Sequence, residues 1–276
     1  MTLHKVNRLP STAATLTSFW SHRNLLMQLW RRDFAVRYKN GILGVAWAVL
    51  NPLMMLALYS FVFVFVFKMR WGAGPDTKGN FVILLFTGLV VHGFFAEFIT
   101  RAPLLIATNA SYVKKVVFPV ELLPLVPLLG AVINFVVGML LVALLLFYLQ
   151  GSVPLTIILL PVVIAPYTLL VLGFSYFLSA TGVFVRDLTH VVGILSTVAM
   201  FASPVLFPIE NVPEGYRSFL YANPLTVIVE QLRGVSILGV LPDWTTLGLY
   251  SVAAIVVFFL GFSWFQATRK GFADVL

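Results

Sequence analysis

The chain has 276 residues, 60% of them hydrophobic and 10% charged, with a mean hydropathy of +0.99. An ordinary soluble domain is about 25% charged, so this chain cannot coat a water-soluble globule and reads as an all-α integral membrane protein. It has 18 Lys+Arg against 10 Asp+Glu, a net charge of +8, and no cysteine, which excludes disulfides, thiolate metal sites and a cysteine nucleophile.

Residues 1–40 form a polar, basic segment expected on the cytoplasmic side, with no cleaved targeting signal. Within it Trp30, Phe34 and Tyr38 follow Leu26 at four-residue intervals, amid Arg31, Arg32, Arg37 and Lys39. This is the pattern of a basic amphipathic helix lying at the membrane interface. Arg23 and Arg37 fall near its apolar side and are expected to snorkel to water.

A helix rises 1.5 Å per residue, so a hydrocarbon core of about 30 Å takes roughly 20 apolar residues to cross. Long apolar runs predict six spans, at about 41–67, 81–103, 122–149, 155–185, 188–209 and 244–268. Together they make one transmembrane domain, 41–268, followed by a short tail, 269–276. The uncharged stretch 122–185 is too long for one helix and divides at Gln150-Gly151-Ser152-Val153-Pro154. The alternation Phe61-Val62-Phe63-Val64-Phe65-Val66-Phe67 has the period of a strand. Barrel strands, however, are about ten residues long and alternate apolar with polar, so helices are expected throughout.

Thirteen of the 18 basic residues fall in the N-terminal segment, the 2–3 connection (Arg101, Lys114, Lys115), the 4–5 turn (Arg186) and the tail (Arg269, Lys270). That bias places both termini in the cytoplasm and makes the net charge a topology signal rather than a sign of nucleic-acid binding. In the 2–3 connection, Thr108 to Pro119 reads as one short helix capped by Asn109 and ended by Pro119. It is either a docking element for another protein or an ordinary basic loop. In the 5–6 connection, 218–229 and 234–242 are apolar but too short to cross, and are separated at Arg233. They predict a re-entrant helical pair on the outer side, or an amphipathic loop on the outer leaflet.

No Gly-Lys dipeptide occurs, so the chain lacks a phosphate-binding loop, and its four histidines are scattered without metal-ligand spacing. Glu97 lies inside a span, where an ionisable group is a functional candidate, but Arg101 four residues on offers it a local partner. Glu210 and Glu214 could serve a membrane enzyme acting on polyprenyl-linked sugars, or sit in a solvated loop. Of 25 Phe, 9 Tyr and 6 Trp, most must meet lipid or pack helices. A subset could line a sugar-wide path: Tyr59 and Phe63, with Ser196, Met200, Ser203 and Phe207 on one side of the fifth span.

Several motifs then stand together in one order: Arg32-Asp33-Phe34-Ala35-Val36-Arg37-Tyr38-Lys39, Leu43-Gly44-Val45-Ala46-Trp47 and Asn51-Pro52-Leu53. Asn109-Ala110, Val113-Lys114-Lys115-Val116 and Phe118-Pro119-Val120-Glu121-Leu122-Leu123-Pro124 follow. Ser203-Pro204-Val205, Tyr221-Ala222-Asn223-Pro224-Leu225, Gln231-Leu232-Arg233 and Phe272-Ala273-Asp274-Val275-Leu276 complete the set. The combination resembles the ABC-2 type transport permeases, in particular the branch exporting O-antigen and teichoic acid. The resemblance implies a homodimeric permease of the bacterial inner membrane, with two copies of a separate ABC ATPase that carry ATP and Mg, exporting a lipid-linked polysaccharide. No cofactor is implied in this chain. It further implies that Arg31, Arg32, Arg37, Asn109, Tyr112, Lys114 and Lys115 contact the ATPase, and that the outer pair, with Tyr221, Asn223, Pro224 and Arg233, closes the path. The polysaccharide implied is O-antigen-like, and a permease for teichoic acid or for small lipophilic compounds is the alternative within the family.

Overall fold

The computed structural model describes residues 22–38, 43–68, 77–114 and 118–276. Among them every regular element is helical, and five stretches are long and apolar enough to cross a membrane: Gly44–Val66, Phe81–Leu104, Val120–Gln150, Leu155–Phe184 and Trp244–Val275. In chain order, α1 is Arg23–Tyr38, and α2 is Trp47–Ser60, running on as a π-helix through Phe61–Val66. α3 (Thr77–Arg101) is joined to α5 (Val126–Gln150) through the four-residue α4 (Ala110–Val113). α6 (Leu160–Phe184) and α7 (Leu188–Phe201) follow, then the short α8 (Glu214–Tyr221) and α9 (Pro224–Arg233), which continues as a π turn through Gly234–Leu238. α10 (Trp244–Thr268) and α11 (Phe272–Val275) complete the order.

α3 is the central helix. Phe81, Ile83, Leu85, Phe86, Val91, Phe94 and Phe98 are buried on all its sides, as expected of a helix that is apolar all round. It packs against α5, α6, α7 and α9. In lipid the apolar effect does not drive helices together, so close backbone approach at small residues matters. A Cβ on Gly138 would meet the Val90 side chain at 2.6 Å, one on Gly173 the Phe258 backbone at 2.7 Å, and one on Gly182 the Pro103 carbonyl oxygen at 2.2 Å. The expected divide near residue 150 is a helix end: Gly151, at φ +72, caps α5 through its N–H to the Phe147 carbonyl. Pro154 then starts the turn into α6.

The fifth predicted span departs from expectation. Its helix stops at Phe201, after 14 residues, rather than running to 209. The carbonyls at and past its end find side-chain donors instead of helical ones. Asn223 Nδ2 donates to the oxygens of Ala199 (2.7 Å) and Ala202 (3.0 Å), and Arg233 donates to those of Pro204 and Val205. α2 and α7 also leave wide apolar faces uncovered. Met54, Leu58, Phe61 and Phe65 on α2 and its π extension, and Ile194, Leu195, Val198 and Phe201 on α7, are exposed large apolar side chains.

The connection between α7 and α10 is helical in two pieces, but the break falls at Ala222-Asn223 rather than at Arg233, which lies within the second piece. The 2–3 connection is likewise not one helix. A 3-10 turn at Ala107–Asn109 leads into α4, and Pro119 is extended, leading into a second 3-10 segment, Val120–Leu125. Lys115 and Lys39 lie outside the described residues.

Candidate functional site

At the end of the bundle carrying α1 and α4, the inward face of α1 is set by Leu29, Asp33 and Arg37, one position away from the aromatic stripe. Trp30 and Phe34 pack on each other, with ring centroids 5.7 Å apart. Arg37 does not snorkel to water. Its side chain points inward over Gly130 of α5, pairs with Glu97 of α3, and lies 3.4 Å from the Asp33 carboxylate. Glu97 in turn accepts a 2.8 Å hydrogen bond from Asn134 of α5, and its partner is therefore Arg37 rather than the expected Arg101. Arg101 reaches across to Asp33, at 2.5 and 3.2 Å. Two acids and two guanidinium groups thus neutralise one another where charge is costly. Burial pushes the Asp33 carboxyl above its ordinary range, against the lowering pull of Arg37 and Arg32.

The same helix clasps the 2–3 connection. Arg32 donates to the Tyr112 hydroxyl and to Asn109 Oδ1, each at 2.8 Å, and its guanidinium lies 5.0 Å from the Tyr112 ring centroid. Asn109 makes no N-cap bond; its amide instead donates back to the Leu105 carbonyl at 2.9 Å. Its role is that of a clip between α1 and the turn before α4. Arg31 and Lys114 are exposed beside this clasp.

Above the charged floor lies a cavity of about 470 Å³. Trp47, Ala48, Asn51, Pro52, Met55 and Tyr59 of α2 wall one side, and Phe86, Leu89, Val90, His92, Gly93, Phe94 and Glu97 of α3 another; Asn134, Phe135 and Gly138 of α5 and Met200 of α7 complete it. Asn51, His92, Glu97 and Asn134 are among its polar lining residues, with Glu97 tied to Arg37 of α1, and aromatic rings continue its wall past Tyr59. Tyr59 stacks on Phe63 (6.1 Å, 24° between planes), and Phe63 contacts Phe67 and Phe81. Ser196 is buried behind His92, whose Nε2 lies 3.1 Å from the Ser196 carbonyl oxygen. Ser203 is buried and donates to the Met200 carbonyl (3.0 Å), and Phe207 packs into the apolar core. Of the six predicted path residues, Tyr59 and Met200 therefore face the cavity, Phe63 extends its aromatic wall, and the other three lie behind it.

At the opposite end Arg233 is 2% exposed. Its Nε donates to the Leu84 carbonyl of α3 (3.0 Å), Nη1 to Pro204 (2.6 Å) and Nη2 to Val205 (3.1 Å), while Nη1 also meets Glu230 at 3.0 Å. Gly88 makes room for it: a Cβ there would lie 2.9 Å from Nη2. Asn223 caps α9 by accepting from the Leu225 N–H while its amide closes the end of α7, and the Pro224 carbonyl accepts from Tyr250. Tyr221 is exposed. Glu210 and Glu214 are exposed, and sit on separate turns with Pro213 between them.

Asp33 and Asn134 are site residues that sequence reasoning misses. Each carries a signal: an acid four residues before Arg37 in a basic helix, and a lone amide in an otherwise apolar span.

A family model described as ABC-2 type transporter matches residues 24–237. The chain is 29% identical over 258 residues to an O-antigen export system permease protein RfbA of Myxococcus xanthus, covering 92% of this chain and 96% of that protein. It is 26% identical over 254 residues to an O-antigen export system permease protein RfbA of Klebsiella pneumoniae, covering 92% and 95%. To the polysialic acid transport protein KpsM of Escherichia coli it is 24% identical over 245 residues, covering 88% and 92%.

Proposed function

Because the chain belongs to the ABC-2 type transporter family, we propose that it is the membrane-spanning permease of a polysaccharide exporter, driven by a separate ABC ATPase. The observation that carries this reading is likeness along nearly the whole chain to permeases named for O-antigen export and polysialic acid transport. In this reading the five long helices and α7 with its following turn make six passes through the bacterial inner membrane, with both termini cytoplasmic. α8 and α9 form the outer, re-entrant pair.

The α1 and α4 end faces the ATPase. Arg31 and Lys114, with Lys115, offer it positive charge, while Arg32 ties α1 to the connection, so that a push on α4 is passed to α1. From α1 the Arg37 and Asp33 pairs lead to Glu97 on the cavity floor. A second copy covers the apolar faces left open on α2 and α7, and the two cavities join into a path with aromatic walls. Apolar sugar faces stack on such rings. α9 closes the path on the outside, held by Arg233. The ATP and Mg belong to the partner, and no step of the chemistry falls on this chain.

Gly93 supplies the test, since it lines the cavity and a Cβ there meets no atom within 4 Å. Deleting the chain from its host is expected to remove long-chain glycan from the cell surface. Complementation with Gly93→Leu is expected to restore a stable, ATPase-bound permease but, by filling the cavity, less than roughly one-tenth of the export. Wild-type surface glycan from Gly93→Leu would remove the cavity from the path, and unchanged glycan on deletion would refute the function itself.

A further inference from the structure

The four residues of α4 are too few for a helix to hold itself, because nucleation is unfavourable and short helices depend on tertiary packing. The 104–120 connection is gripped by α1 from one side through Arg32. From the other side it is gripped by the segment after α10. Phe272 is fully buried, with its ring 5.4 Å from Phe265 at 77° and 6.1 Å from Phe184. It shares one apolar cluster with Leu105 and Ile106, which precede α4, and with Leu123, which follows it. Val113, Phe118 and Leu276 pack on that same cluster, and α11 touches α4 directly. Arg269 reaches Glu121 at 3.4 Å, and the Tyr176 hydroxyl donates to the Glu121 carbonyl at 2.9 Å. Both ends of the connection therefore close on one wedge.

We infer that the segment Arg269–Leu276 is a brace for the 2–3 connection, with Phe272 as its positioning residue, and that the connection can dock an ATPase only while braced. The second half of this statement rests on the proposed function; the first does not. Without the fully buried Phe272 ring, the cluster on which Val113 and Phe118 pack loses the side chain that ties it to the C-terminal segment, and the turn at exposed Lys114 opens locally.

The test is limited trypsin digestion of the full chain, following the cut after Lys114 relative to the cut after Arg217 in the distant α8, together with the amount of ATPase co-purified from the host. Phe272→Ala is expected to speed the Lys114 cut relative to the Arg217 cut by roughly tenfold, and Phe272→Leu to leave the ratio near wild type. ATPase recovery is expected to fall with Phe272→Ala and to return with Phe272→Leu. An unchanged ratio in Phe272→Ala, or equal acceleration at both sites, would overturn the brace. A raised ratio with full ATPase recovery would uphold the brace and refute the connection as the docking site.

Discussion

Replacing Arg233 by alanine is expected to remove about 3–5 kcal/mol from the folded protein, enough to leave little of it monodisperse after gentle heating in detergent. The side chain donates to three backbone carbonyls, one on α3 and two on the turn after α7, and the two on the turn lie off any helical ladder. Removing it takes their donor away in a buried setting, where each unsatisfied group costs about 1–3 kcal/mol. The pair with Glu230 adds less, because that carboxylate is 36% exposed and partly screened. Arg233→Lys restores charge but not the fork that reaches α3 and the turn together, so only partial recovery is expected. Gly88→Ala presses both on the Val205 carbonyl oxygen, at 2.8 Å, and on the guanidinium that donates to it, at 2.9 Å, so its effect and that of Arg233→Ala should be non-additive. The check is the thermal midpoint of the purified protein, read by fluorescence-detected size exclusion. A wild-type midpoint for Arg233→Ala would show that the outer pair is held by something else.

Gly261→Leu is expected to be comparably damaging at the contact between α10 and α6. A Cβ at Gly261 would lie 2.0 Å from the Gly173 carbonyl oxygen, and one at Gly173 would lie 2.7 Å from the Phe258 backbone. Neither neighbour is a side chain that can swing away, so the two helices must separate along their length. Overpacking of this kind costs about 1–3 kcal/mol even for small additions, and close approach is a principal source of helix association in lipid. Gly248 lies on the same helix, and a Cβ there would meet nothing within 4 Å. Gly248→Ala therefore serves as the control and is expected to leave the midpoint unchanged, while Gly261→Leu lowers it sharply. Equal midpoints for the two variants would contradict the packing described.

The bundle is legible in the sequence where the signal is one-dimensional. The last charge-free run, 244–268, is where α10 runs, and the turn-forming stretch Gln150 to Pro154 contains the Gly151 at which α5 ends. Legibility ends where partners are distant along the chain. Glu97 has an arginine at i+4, and the local rule selects it, but Arg37, 60 residues away, takes the carboxylate. Asn109 looks like a cap because caps are local, yet its oxygen serves Arg32, 77 residues away. Arg233 looks like a break between apolar pieces. Its isolation in an apolar stretch is better read as the mark of a buried cation, which is how the structure uses it. The fifth span comes out too long for a related reason: hydropathy cannot tell that the carbonyls beyond Phe201 are satisfied by Asn223 and Arg233 rather than by another helical turn. In the candidate site, family likeness points to α1 and α4 separately; the clasp that joins them, and the charged floor of the cavity, require the third dimension.

A permease seated by its α1 and α4 end on a separate ATPase should survive gentle extraction as a complex. Native mass spectrometry of the tagged protein, drawn from its own host, tests this most directly. The expected mass equals two copies of this chain plus two copies of an ABC ATPase. A permease that never carries an ATPase, even in mild detergent, would contradict the transporter reading at its centre.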